Sequence, residues 1–321
     1  MESRVLAENI VIYDYLTFTS KIHTPQELID ALGLSHVNWT TVKGFYGYRD
    51  CLYYSSIKIH FNGREGMGVC VEMSGQGCRA FESLSAISWE QIFSFIHVNG
   101  LNISRLDIAY DDHTGILPLF KIVQDTMFNN FISKSTFWGT HITSDGTTVD
   151  FGKRGSQVMI RIYDKAAERH CEPGTHWIRC EIQLRDDRAA QFTKIPLPIG
   201  EAFAGVLMNY LRFVEPSDDT NKSRWPMRDY WRDFVEDAQR ISLYRTPGLE
   251  YNVDRLKDLV VNHWGNGIDC MIQLFGIDGF ERMIAERKCS PNPKYDLLIQ
   301  DFKSKSTAEK MLFYLGDDFF K

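Results

Sequence analysis

The sequence predicts an α+β fold: a mainly antiparallel sheet with helices on one face, followed by a helical C-terminal region. Three observations predict it. Strand-like and helix-like periodicities succeed one another up to residue 192 in the order strand, helix, strands, helix, strand, helix, strands. Two segments, Gln157-Val-Met-Ile-Arg-Ile-Tyr-Asp-Lys165 and Trp177-Ile-Arg-Cys-Glu-Ile-Gln-Leu-Arg185, alternate apolar with polar residues, as half-buried strands do. Composition then shifts at Ile195-Pro-Leu-Pro-Ile199, and the patterns beyond that linker are helical.

The elements follow in order. Residues 10–19 are rich in β-branched and aromatic side chains and read as a strand. Thr24 is a helix N-cap with Pro25 at the first position, and this helix ends near Gly33. Residues 45–61 are β-rich, Asn62-Gly63 reads as a turn, and residues 68–73 pair back as a strand. Residues 74–79 read as a loop, and Ser88 caps an amphipathic helix over 88–97. A strand is expected at 105–111, a helix at 117–130, and a hairpin over 137–151 turning at Asp145-Gly146. Past the linker, helices are expected at 201–213, 228–240, 253–264, 271–275, 278–288 and 294–314, with breaks at Pro216, Pro247 and Pro291-Asn-Pro293.

The chain has 321 residues, 44% of them hydrophobic and 13% aromatic, which is a globular and not a disordered composition. Two domains are expected, residues 1–192 and 193–321. No apolar run is long enough to span a bilayer, and Met1-Glu-Ser-Arg-Val does not read as a secretory leader. The expectation is a cytoplasmic protein with no membrane partner. The seven cysteines are scattered with no C-x-x-C pair, so a zinc ribbon is not indicated and reduced thiols are the simplest account. The net charge is −6, with 42 acidic against 36 basic residues. That balance does not advertise nucleic-acid binding, but binding depends on where the cations sit. Eight Lys/Arg lie between residues 153 and 188, five of them around the Tyr163 strand.

Strand alternation places Arg161, Tyr163 and Lys165 on one face, and Arg179, Glu181 and Gln183 on one face of the next strand. The strand 105–111 places Arg105, Asp107, Ala109 and Asp111 together. Carboxylates on a sheet core are costly without a partner. A hard divalent cation held by oxygen ligands is one partner, and an arginine such as Arg105 or Arg161 is another. Asp111-Asp112 can equally be a turn or capping pair before Thr114-Gly115. If these strands are neighbours, a metal on Asp107 and Glu181 faces Tyr163. The phenol could then attack a phosphodiester, with Lys165 and Arg161 stabilising negative charge. An ordinary phenol titrates near ~10, so a nearby cation is needed.

Other features carry less. Gly75-Gln-Gly77 is followed by no Gly-Lys-Ser/Thr, so a nucleotide P-loop is not supported. No His-x-His or His-Glu-x-x-His occurs, and His113 reads as a turn residue. Cys78 beside Arg79 is either an activated thiol or a buried structural one. The aromatic and basic cluster at 224–232 fits a single-strand binder or the start of an amphipathic helix.

Taken together, Arg105-Leu-Asp-Ile-Ala-Tyr-Asp-Asp112, Arg161-Ile-Tyr-Asp-Lys-Ala-Ala-Glu168 and Trp177-Ile-Arg-Cys-Glu-Ile-Gln-Leu-Arg-Asp186 resemble the core blocks of the replication initiation factor family. That family covers rolling-circle plasmid initiators and relaxases of integrative conjugative elements. Glu72-Met-Ser-Gly-Gln-Gly-Cys-Arg-Ala-Phe-Glu82 resembles the conjugative branch, and Phe319-Phe-Lys321 is a weaker likeness. The resemblance implies a relaxase-like catalytic domain that nicks origin DNA. Tyr163 would be the nucleophile, forming a 5′-phosphotyrosyl link. Lys165 and Arg161 would handle phosphate charge. Asp107 and Glu181 would be Mg²⁺ or Mn²⁺ ligands, with Asp111 or Asp112 as a third. The implied partner is single-stranded or supercoiled origin DNA. The C-terminal region would serve DNA recognition, a host helicase or a homodimer. An origin-binding module that does not cut and a metal nuclease that uses water are the alternatives.

Overall fold

The structure is a computed structural model, and it describes residues 8–144, 146–240, 260, 265–286 and 303. The chain forms two compact units, Met1–Tyr53 with Ile57–Pro247, and Tyr54–Ser56 with Gly248–Lys321.

The first unit is organised by a ten-stranded sheet. Its strands are β1 (Ile10–Ser20), β2 (Thr40–Lys43), β3 (Asp50–Tyr54), β4 (Ile57–Phe61), β5 (Val69–Met73), β6 (Asn102–Asp112), β8 (Trp138–Thr143), β9 (Gly146–Phe151), β10 (Val158–Asp164) and β11 (Ile178–Arg185). They lie in the order β2-β3-β4-β5-β1-β6-β11-β10-β9-β8. The central pairs are all antiparallel. A separate two-stranded sheet joins β7 (Phe131–Ser133) to β12 (Leu211–Phe213). The helices of this unit are α1 (Pro25–Ala31), α2 (Gly75–Leu84), α3 (Trp89–Val98), α4 (Leu119–Met127), α5 (Lys165–Glu168), α6 (Asp186–Phe192), α7 (Ile199–Tyr210) and α8 (Asp229–Arg240).

One face of the sheet is the apolar core. Leu16 and Phe18 of β1, Leu106, Ile108 and Tyr110 of β6, Ile160 and Ile162 of β10, and Cys180, Ile182 and Leu184 of β11 are all buried. Each fully buried aliphatic side chain contributes about 1.5–3 kcal/mol. Helices α2, α4, α6 and α7 pack on the strands. Tyr110 lies 4.8 Å from Phe234 of α8 and 6.4 Å from Phe203 of α7, ring to ring. Helices α7 and α8 thus complete the core on this face of the sheet.

The expected α+β fold is present, with its helix starts. Thr24 and Glu27 form a reciprocal capping box on α1, and Ser88 and Gln91 form another on α3. Three local expectations are corrected. Of residues 74–79, expected as a loop, Gly75 onward form the first half of α2, in which Gly77, Cys78 and Ala80 are buried; the N-cap Ser74 makes no side-chain cap bond. The β-rich run 45–61 is split by Ser55 and Ser56, at φ 41° and 67°, into β3 and β4. Residues 211–213, expected as helix, are β12, because pairing with β7 overrides the helical pattern.

In the second unit, α9 (Gly265–Ala285) is interrupted at Gly276, which has φ 70° and ψ 168°. Most of 253–264, all of 294–314 except residue 303, and the Phe319-Phe-Lys321 end lie outside the described residues, as does Asp145. No helix among the described residues is long and apolar enough to cross a membrane.

Candidate active site

The opposite face of the sheet is polar, and register decides what meets on it. Glu181 of β11 lies opposite Arg161 of β10 on one side and Ala109 of β6 on the other. Gln183 lies opposite Asp107, and Arg179 lies between Tyr163 and Asp111. Antiparallel pairing keeps directly opposite side chains on the same face. The three expected strands are therefore neighbours in the order β6-β11-β10, and their polar rows converge.

A bulge adds a fourth strand to this face. In β1, Tyr13 pairs with Ile108 and Tyr15 with Asp107, so Asp14 is an extra residue. Tyr13 packs on Trp89 and Phe93 in the helical layer, at 4.8 and 5.2 Å. Asp14 and Tyr15 both line a cavity of about 620 Å³ that also holds Asp107, Arg161, Tyr163, Lys165 and Glu181. Strand β5 ends at Met73 opposite Leu16, and the chain turns into α2 beside Asp14. A Cβ on Gly75 would stand 2.8 Å from Asp14 Oδ1.

Tyr163 is half-buried, and its hydroxyl donates to Glu181 Oε2 at 3.3 Å. Lys165 Nζ donates to the Tyr163 oxygen at 3.5 Å and pairs with Glu168 at 3.0 Å. Lys165 is not on the strand, as the spacing suggested. It is the first residue of α5, capped by Asp164, and its side chain turns back over the ring at 5.5 Å. Arg161 pairs with Glu181 Oε1, and its guanidinium carbon lies 5.8 Å from the Tyr163 ring centre.

Burial, and then Glu181, push the Tyr163 phenol up, against the pull of Arg179. A proton acceptor is therefore needed in addition to a cation. Burial would also raise Glu181, but Arg161 and Arg179 outweigh it and hold Glu181 below the ordinary carboxylate range. Asp107 is pushed up to about 7 by burial and by Glu181 and Asp14, even though Arg105 donates to it at 2.9 Å. Asp14 is raised as well, first by burial.

Asp111 shares the face but is engaged. Both its oxygens accept from Arg179, at 2.6 and 2.7 Å, and Trp177 Nε1 donates to it at 2.7 Å. The same guanidinium reaches Asp14 Oδ2 at 2.7 Å. Asp112 caps the turn after β6, accepting from the backbone of Thr114, Gly115 and Leu117.

Among the described residues, no three His, Cys, Asp or Glu side chains form a ready-made metal centre. The oxygen donors that do converge on the cavity suit a hard divalent cation. Asp14 Oδ1 is buried with no hydrogen-bond partner, and Asp107 is destabilised as an anion by burial and then by its carboxylate neighbours.

Sequence alternation singled out Asp107, Glu181, Tyr163 and Arg161, which the structure brings to one cavity, but did not single out Asp14, which lines it too. An acid inside an aromatic, β-branched strand was the available signal. The other candidates resolve simply. Cys78 is buried and its thiol is pushed well up, so it is not activated. His113 packs on Trp177 at 5.3 Å. In the 224–232 cluster, Trp231 is fully buried and Arg228 pairs with Asp125 at 2.8 Å, as an amphipathic helix start requires.

Residues 101–286 match the family described as Replication initiation factor, and residues 10–98 match the Rolling Circle replication initiation protein N-terminal domain. A "Putative DNA relaxase NicK" of Bacillus subtilis (strain 168) is 28% identical over 264 residues, 75% of each chain. The solved structure of a rolling circle replication initiator protein from Geobacillus stearothermophilus is similar at a TM-score of 0.67 and 30% identity, over 74% of this chain and 100% of that one. With both of its matched regions adjoining on one continuous sheet, the chain belongs to the replication initiation factor family of rolling-circle initiators and DNA relaxases.

Proposed function

We propose that the protein nicks one strand of origin DNA through a covalent Tyr163 ester and later rejoins ends from the same site. The observation that carries this reading is the Tyr163 hydroxyl set between Glu181, an ionised acceptor, and Lys165, a buried cation. Glu181 takes the phenolic proton as the oxygen attacks phosphorus. The bond from phosphorus to the 3′ oxygen breaks, and that oxygen leaves as a hydroxyl after protonation. The 5′ phosphate stays on Tyr163. The ester keeps the bond energy, so reversal needs no nucleotide. Lys165 and Arg161 offset the charge that develops on the phenolic and phosphoryl oxygens.

A divalent metal, Mg²⁺ or Mn²⁺, would be held by Asp107 and Glu181. Asp14 fits as a third ligand through Oδ1, which is buried with no hydrogen-bond partner. When bound, the metal would polarise the phosphoryl group as a Lewis acid. Arg105 pairs with Asp107 and Arg161 with Glu181. The N-terminal unit is read as the catalytic part; DNA recognition, a host helicase or a homodimer are roles for the C-terminal region.

The test is covalent trapping. Protein is mixed with labelled single strands tiled across the DNA flanking its gene, with Mn²⁺ or Mg²⁺, and run on a denaturing gel. A shifted protein–DNA band that disappears with EDTA and with Tyr163→Phe is the expected result. Cleavage without a shifted band makes water the nucleophile. Binding without cleavage, on supercoiled DNA also, leaves a DNA-binding module.

A further inference from the structure

The polar face does not stop at Tyr163. Register carries its row across β9 to β8: Tyr163 lies opposite Thr148, and Thr148 opposite His141. The next row runs Arg161, Asp150, Gly139. Beyond these rows the face opens into a second groove of about 400 Å³, which shares His141, Thr148 and Arg161 with the Tyr163 cavity and ends at Phe137, Lys153 and Arg154.

Its construction is specific. Gly152 turns the chain after β9 with φ 111°, and a Cβ there would lie 2.9 Å from the Val158 carbonyl oxygen. Gly152 N donates to Phe137 O at 2.9 Å, which fixes the Lys153–Arg154 turn against Phe137. The Phe137 ring is 39% exposed, and Lys153 Nζ sits 5.2 Å from its centre. Lys153 and Arg154 are exposed, and neither forms an ion pair with a described residue. Arg161 Nε is buried with no hydrogen-bond partner, while Nη2 of the same guanidinium pairs with Glu181. The one acid lining the groove, Asp150, lies 3.2 Å from His141 Nε2 through Oδ2, and its Oδ1 is buried with no partner. The groove therefore offers cations, a partly exposed aromatic ring and an unsatisfied guanidinium donor, in direct continuity with the nucleophile. A polyanion with π-faced bases matches this chemistry, since stacking and phosphate neutralisation are how single strands are held without sequence readout.

We infer that this groove holds the unpaired DNA strand on one side of the scissile phosphate, with a base stacked on Phe137 and backbone phosphates on Lys153 and Arg154. The inference deepens the nicking reading and rests on it for the place of the scissile phosphate. It also assigns a direction to the bound strand: across β10, β9 and β8, towards the sheet edge.

The test uses the full chain with Tyr163→Phe in EDTA, so that nothing is cut, and a fluorescein-labelled oligo-dT strand read by anisotropy over a salt series. Adding Lys153→Gln and Arg154→Gln should lower the slope of log K against log salt by about 1.4, from two lost phosphate contacts. Adding Phe137→Ala should weaken binding roughly tenfold. The same Phe137→Ala change should leave the affinity for an abasic strand of equal length unaltered. All three positions are exposed, and matching thermal melts confirm intact folding. Unchanged slope and affinity overturn the groove. Equal losses on oligo-dT and abasic strands overturn the stacking role of Phe137. Covalent trapping with Tyr163 intact separates the two readings: no adduct with normal groove effects sinks the nucleophile alone, and a normal adduct with no groove effects sinks the groove alone.

Discussion

Arg179 bridges two carboxylates that come from opposite sides of the sheet centre: its Nη1 donates to Asp14 on β1, and its Nε and Nη2 donate to Asp111 on β6. It is 1% exposed, and it holds the bulged strand in register with the strand that carries Glu181.

Removing that guanidinium should therefore cost more than its own contacts. Arg179→Met leaves two buried carboxylates without their cation, a loss on the order of 3–5 kcal/mol. Arg179→Lys should rescue little of it, because an ammonium cannot serve two carboxylates in a planar fork. Urea denaturation of the three proteins measures the effect; a midpoint unchanged by Arg179→Lys would refute the bridge.

Gly75→Ala should impair the site while sparing the fold. The added methyl would stand 2.8 Å from Asp14 Oδ1, and the position is at the start of α2, where alanine is a good residue. The expected outcome is weaker Mn²⁺ binding by calorimetry with a melting temperature equal to or above the parent's. Unaltered Mn²⁺ affinity would remove Asp14 from the ligand set.

Glu181→Gln should keep DNA binding and lose covalent trapping by roughly 10²–10⁴-fold in rate, the usual contribution of a positioned base. Quench-flow gels with saturating strand give the rate. A rate within tenfold of the parent would mean that Glu181 is not the acceptor of the Tyr163 proton.

Asp107 sets a pH dependence whose sign is fixed. Its folded value, about 7, lies above the ordinary ~3.9 of an aspartate in an unfolded chain. The folded state thus binds more protons than the unfolded state between those values, so this group's stabilisation is full below the unfolded value and is lost as pH rises through about 7. Melts in EDTA should show the parent losing stability across pH 4 to 7 relative to Asp107→Asn (about the span of the two values). Metal affinity should run the other way, rising with pH until Asp107 is ionised. Parallel curves for parent and variant would contradict the shift.

The fold class, the N-caps Thr24 and Ser88 and the strands carrying Asp107, Tyr163 and Glu181 were legible in the sequence, because alternation and end signals are local. Alternation also told which side chains share a face within each strand. It could not tell that Ser74 begins a helix without a capping bond, or that residues 211–213 would leave their helix to pair with β7. Nor could it place Asp14, because a bulge is defined by the partner strand: only the pairing of Tyr13 and Tyr15 with Ile108 and Asp107 makes Asp14 the extra residue. The fate of Asp111 was likewise decided by Arg179 and Trp177, more than sixty residues away. The sequence by itself determined which chemistry the strands carry. The tertiary structure decided which of those groups meet and which carboxylates are already paired, since both depend on register across strands distant in the chain.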